Sequence, residues 1–200
     1  NITVTDNTLY DANSGATITA AGTVTFVGNT IYNTYTDPVQ FTTAASCTPA
    51  ETIVTDNVCY GVVGLSTDAV SPHIDGLQFQ IREAATWSNL TIARNRIFPD
   101  PVGTRGGLGA GIRMQTGSGG EERHFEEVDI YHNALASAAS ATCITVSSTD
   151  NVNVVIQGNS GGHYTVDGGL DPSISIGSGG SGNIIRYNCS YGHTATGGTV

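Results

Sequence analysis

The densest run of ionisable side chains is Glu122-Arg123-His124-Phe125-Glu126-Glu127. Glutamates beside a histidine suit general acid–base chemistry. A pair such as Glu83 with Glu122 or Glu126 would protonate a glycosidic oxygen and activate a water. His124 or His73 is a further proton carrier for such a pair. Glu83, Glu122, Glu126 and His124 are therefore the catalytic candidates. The competing reading is a solvated, charged loop tip.

Amides and guanidinium groups form a second set. Aligning Val39, Leu77, Ile112, Ile144 and Ile174 puts Gln40, Gln78, Arg113, Thr145 and Ser175 in one outward row. Two residues further on lie Thr42, Gln80, Gln115, Ser147 and Gly177. Gln78, Gln80, Arg82, Arg113 and Gln115 then make a polar face suited to glycan hydroxyls, and arginine engages a uronate carboxylate bidentately. Long segments flank this face and are expected as loops. One contains His73 and Asp75, another Asp100 and Arg105, and REAATWSN at 82–89 holds Trp87, the chain's single tryptophan. His73, Asp75 and Trp87 complete the substrate-binding candidates. A solvated sheet face would be polar without any ligand.

The elements that position these residues come from a repeat. Asn7, Asn29, Asn57, Asn95, Asn133, Asn159 and Asn188 each follow an apolar residue by three places, and in five of the seven an aromatic follows three places later. Before each Asn the sequence alternates, as in Val24/Phe26 and Leu90/Ile92, which reads as a strand. A second strand pattern lies between successive Asn segments: TITA at 17–20, VQFT at 39–42, LQFQIR at 77–82, IRMQT at 112–116, ITVS at 144–147 and ISIG at 174–177. Each repeat thus needs at least two short strands, and no segment has a helical period. Short strands at spacings of 22 to 38 residues predict an all-β solenoid of about seven coils. At the inter-strand spacing of ~4.8 Å, it would form a rod roughly 34 Å long. The Asn is expected at a tight corner, tolerating a positive φ and bonding to its equivalents above and below as an Asn ladder. The aromatics would stack in the same way.

The motif V/I-x-N-x-I/L-Y, clearest in VGNTIY and TDNTLY, resembles the right-handed parallel β-helix superfamily, the fold of pectate lyases and many phage tailspikes. The resemblance covers nearly the whole chain. It implies a right-handed parallel β-helix but says little of activity, because that fold hosts lyases, hydrolases, epimerases, adhesins and inert shafts. The first expectation it supports is an extracellular or virion-surface module, like part of a phage tail fibre or tailspike, that contacts host surface polysaccharide or acts as a rigid shaft. Such spikes are typically trimers. The alternatives are a polysaccharide lyase or glycoside hydrolase acting on acidic glycans, and a bacterial adhesin or surface structural protein. A polygalacturonase would carry Asn-Thr-Asp, Asp-Asp, Gly-His-Gly and Arg-Ile-Lys. Here only Arg96-Ile97-Phe98 stands near the last of these. A pectate lyase base has candidates in Arg82, Arg94, Arg105 and Arg113, without a dense Asp cluster for calcium.

A chain of 200 residues fits one domain. All seven basic residues are Arg, and 17 acidic residues bring the formal charge to −10. That balance argues against nucleic acid or an anionic membrane as partner. It suits contact with divalent cations such as Ca²⁺, yet no calcium-binding nonapeptide repeat occurs, and no cofactor is expected. No run reaches transmembrane length. Of Cys47, Cys59, Cys143 and Cys189, Cys59 aligns with Leu9, Ile31, Ile97 and Leu135 and reads as a core thiol. Cys47 lies twelve residues before it, a spacing open to a loop-to-coil bridge. No CxxC occurs, so no zinc site is expected. His132, just before Asn133, reads as structural, and His163 and His193 fall in Gly-rich corners. The chain starts inside a repeat and ends on Gly-Gly-Thr-Val, as an excerpt of a longer chain would, or one stacked on another module or copy.

Overall fold

The computed structural model describes residues 1–43, 47–62, 74–82, 85–99, 108–116, 123–138, 142–148, 150–164, 174–177 and 180–190. Three sheets contain all the named strands, and every strand pairing is parallel. The first sheet orders β1 (Ile2–Thr5), β4 (Thr23–Val27), β7 (Glu51–Thr55), β10 (Thr86–Ala93), β13 (His124–Tyr131), β16 (Val152–Gln157) and β19 (Ile184–Arg186). The second orders β2 (Thr8–Ala12), β5 (Thr30–Thr34), β8 (Val58–Val62), β11 (Arg96–Pro99), β14 (Ala134–Ala138), β17 (Ser160–Tyr164) and β20 (Cys189–Ser190). The third orders β3 (Ala16–Ala20), β6 (Val39–Thr43), β9 (Ile74–Ile81), β12 (Leu108–Thr116), β15 (Thr142–Val146) and β18 (Ile174–Ile176). Each strand thus pairs with the strand three places later, one circuit of the chain away. Among the described residues there is no helix. The arrangement fits a β-solenoid.

Period-two alternation drives the strands. Val24 and Phe26, then Leu90 and Ile92, then Val128 and Ile130 point inward and are buried. Each such side chain contributes roughly 1.5–3 kcal/mol on burial. The third-sheet register runs Val39↔Leu77↔Ile112↔Ile144↔Ile174, as aligned from sequence. Aromatics thread the core from circuit to circuit. Phe41 stacks on Phe79 at 4.7 Å, Phe79 meets Trp87 edge-on at 5.7 Å, and Trp87 faces Phe125 at 6.4 Å. On the outside of the second sheet Tyr10, Tyr32 and Tyr60 stack at 5.3 and 5.1 Å.

The Asn side chains sit between the first two sheets, and their bonds repeat. The Asn57 backbone N–H donates to Asn95 Oδ1 at 3.0 Å. Its side-chain amide donates to the same oxygen, to Phe26 O one circuit earlier and to Thr55 O. Asn7, Asn29, Asn95, Asn133 and Asn159 likewise donate to the next Asn Oδ1. The carbonyls released where the chain turns are thus satisfied by amides rather than water, which matters because Asn57 and Asn95 are fully buried.

The turn itself falls one residue earlier than the sequence implies. A positive φ occurs not at these Asn residues but at Asp6, Gly28, Asp56, Arg94, His132, Gly158 and Tyr187, each directly before one. The division of labour is physical. The left-handed residue reverses the chain with its side chain turned out to solvent, leaving the Asn side chain directed inward to bond.

A second column of left-handed residues, Asn89, Glu127, Asn153 and Gly182, lies six places before Asn95, Asn133, Asn159 and Asn188. It inserts an extra residue into each alternation, so Trp87, Leu90 and Ile92 all point inward despite unequal spacing. The four cysteines are free, so the Cys47–Cys59 spacing makes no bridge. Cys59 is buried in register with Ile31 and Ile97, and that burial pushes its thiol up to about 12.

Candidate functional site

Most of the expected binding face gathers on the third sheet. Its outward row is Gln40↔Gln78↔Arg113↔Thr145, with Thr42↔Gln80↔Gln115 beside it. The face is less open than a solvated strip. Gln78 and Asp75 are buried, and Gln40 Nε2 donates to the side-chain oxygen Gln78 Oε1. Gln78 Nε2 in turn donates to Asp75 Oδ2 at 3.2 Å, and Arg113 Nε stands 3.0 Å from that oxygen. Asp75 therefore anchors Arg113 and Gln78 from below. Its backbone N–H donates to Asp37 Oδ1 at 2.7 Å. Gln80, Arg82 and Gln115 keep exposed surface, and Arg82 Nε donates to Gln80 Oε1 at 3.1 Å.

Trp87 is a correction. It is not on a loop beside the face but on β10, fully buried, with Nε1 donating to Thr52 Oγ1 at 3.1 Å. The inserted Asn89 turns it inward. Likewise the ERHFEE run is largely strand, because Phe125 takes the inward position that Trp87 holds one circuit before. His124 and Glu126 flank Phe125 on the outside of the first sheet, not on the third. His124 Nε2 stands 3.9 Å from Glu126 Oε2 and 3.4 Å from Thr86 Oγ1. Glu83, Glu122 and His73 lie outside the described residues. Among the described residues no group of three or more His, Cys, Asp or Glu is placed to hold a metal ion.

A cleft of about 510 Å³ lies elsewhere, outside the corner between the first and second sheets, lined by Asp56, Val58, Arg94, Asn95, Arg96, His132 and Ala134. Arg94 Nε and Nη2 grip Asp56 Oδ1 and Oδ2 at 2.8 and 2.7 Å. Arg94 holds the Asp56 carboxyl below its ordinary value, and Asp56 raises Arg94 further. Arg96 projects from β11 in register with Val58 and Ala134. His132 lies over Gly158, where a Cβ would come 2.7 Å from its Cδ2. From sequence His132 reads as a structural corner residue and Arg96 as part of a departed motif. The signal that locates both is position: Asp56, Arg94 and His132 each directly precede an Asn of the column.

No family model, curated protein or solved structure matches the chain.

Proposed function

We propose that this chain is a right-handed parallel β-helix of about seven coils with an Asn ladder. It serves as a module of an extracellular or virion-surface protein, comparable to part of a phage tail fibre or tailspike, and contacts surface polysaccharide through its solenoid exterior. The observation that carries the reading is the outward register Gln80↔Gln115, with the exposed Arg82 beside Gln80 and the row Gln40↔Gln78↔Arg113 braced by Asp75 next to it. It repeats amide and guanidinium groups at the inter-strand spacing of ~4.8 Å on a rigid sheet. Such a row offers several hydroxyl and carboxylate contacts to an extended chain without ordering a loop. A glycan-array and bacterial-envelope binding screen tests it. Binding that weakens in Gln80→Ala and Gln115→Ala supports a glycan-binding face. A folded protein that retains nothing in either screen is a shaft instead.

The second reading, a polysaccharide lyase or glycoside hydrolase, has one observation in its favour: the partly exposed His124 beside Glu126. Incubation with uronate-rich polysaccharide, followed by assay for reducing ends and unsaturated products, tests it. Full turnover in His124→Gln and Glu126→Gln would remove this pair from the chemistry.

A further inference from the structure

We propose that the cleft at Arg94, Arg96 and His132 binds the carboxylate of an acidic saccharide unit, a uronate-type sugar. The proposal rests on the polysaccharide-contact reading and names the charge of the glycan and the place where it seats.

The chain carries a formal charge of −10 and seven arginines, yet two of those arginines and a histidine converge on one cleft. The arrangement follows from the fold. Asp56, Arg94 and His132 occupy the left-handed position on successive circuits, so their side chains point outward one above the next. The first neighbours are opposite in kind and close into the bidentate Asp56–Arg94 pair. The next neighbours, Arg94 and His132, are both donors. An oxyanion between them, reached also by Arg96, would complete the row as Asp56 does one circuit earlier. Among the described residues no carboxylate pairs with Arg96. The row itself thus displays the ligand chemistry: a planar carboxylate against an arginine fork.

The remaining walls suit a sugar. Val58 and Ala134 flank Arg96 and give the cleft apolar sides for ring C–H groups. The volume of about 510 Å³ falls within the ~300–1,000 Å³ of small-ligand sites. Gly158 leaves the space over which His132 lies, which sets the imidazole at the cleft edge. Asp56 closes the opposite end with negative charge and disfavours a second anionic group there.

The test is titration of the protein with a trimeric uronate oligosaccharide, its neutral counterpart and a sulfated monosaccharide, followed by calorimetry and by NMR of the arginine Nε–H and imidazole signals. The uronate is expected to shift the Arg96 and His132 signals and to bind more weakly as salt rises. Arg96→Gln should lose at least about tenfold in affinity, the scale of one charge-assisted hydrogen bond. His132→Asn, a residue that tolerates the left-handed backbone, should lose affinity in the same direction. Arg186→Gln, outside the cleft, should bind as wild type and control for folding. Equal affinity for the uronate and neutral trimers overturns the proposal. So does wild-type affinity in both Arg96→Gln and His132→Asn, or a sulfated sugar that outcompetes the uronate. Polysaccharide binding that persists in Arg96→Gln would sink the cleft and leave the third-sheet reading standing. Uronate binding at the cleft without retention of any surface polysaccharide would do the reverse.

Discussion

Arg94 and Asn95 are adjacent in the chain and belong to opposite kinds of column. The Asn column is closed. Its N–H groups and amides bond across the circuits, and its five inner members, Asn29 to Asn159, are buried. The column one residue earlier is open. It holds Asp, Gly, Arg, His and Tyr at one backbone conformation, and neighbours there pair, as Asp56 and Arg94 do, or simply make room, as Gly158 does for His132. The lesson is that in a stacked fold the backbone can impose one identity on a column while leaving the next free for chemistry. Uniformity marks the scaffold, and variation at a fixed conformation marks where a surface is specified.

The contrast can be broken by substitution. The largest effect is expected inside. Trp87→Ala should cost roughly 3–5 kcal/mol, since it opens a void between Phe79 and Phe125. Urea unfolding measures it, and a cost below 1 kcal/mol would place Trp87 outside the core. Asn95→Ala comes next. It orphans the Asn57 backbone N–H, takes one of three acceptors from the Asn57 amide and leaves Val54 O without its amide donor, at ~1–3 kcal/mol for each buried group left unpaired. Arg94→Ala, one residue away, should change stability by no more than about 1 kcal/mol, because both members of its ion pair are half exposed. Equal losses for Asn95→Ala and Arg94→Ala would abolish the distinction between the columns.

Titration sharpens the same contrast. Cys59 has its thiol raised by burial from 9.0 to about 12. A raised value means that the unfolded chain ionises first. Stability from this group is therefore intact below pH 9 and falls as pH climbs from 9 towards 12, by at most about 1.4 kcal/mol per pH unit. Cys59→Ala should flatten that alkaline limb in denaturation curves. Asp56 has the smallest effect and the opposite sense. Its lowered value gives stability that is present above the ordinary carboxylate range and fades as pH falls below it, and Arg94→Ala should erase the difference.

The strand alternation, the Asn spacing and the third-sheet register were legible because each depends on a short, strict period. Val39, Leu77, Ile112, Ile144 and Ile174 align from sequence and pair in space. The strand after each Asn was harder to see. TLYDA and TIYNT follow the preceding alternation closely, and only two residues, the first of them left-handed, separate them from it. Trp87 was misplaced for a related reason: Asn89 adds a residue, the period of two fails, and a core position looks like loop. The closure of Asp75 beneath Gln78 and Arg113 involves groups from neighbouring circuits whose approach is set by packing, which no spacing along one strand reveals. The cleft at Arg96 and His132 was hidden because both look like corner fillers until successive circuits are superposed.

The parallel register also has a mechanical meaning. Ladder bonds and Asn amides link each circuit to the next, so their pull runs along the stack. A load applied between the two ends would meet them one circuit at a time, as a zip is opened, rather than shear a whole sheet at once. Each rupture would release 22 to 38 residues, about 75 to 130 Å of extended chain. The stack should therefore yield in steps whose lengths report the unequal circuits, with the longest increments at the two that end on Asn95 and Asn133.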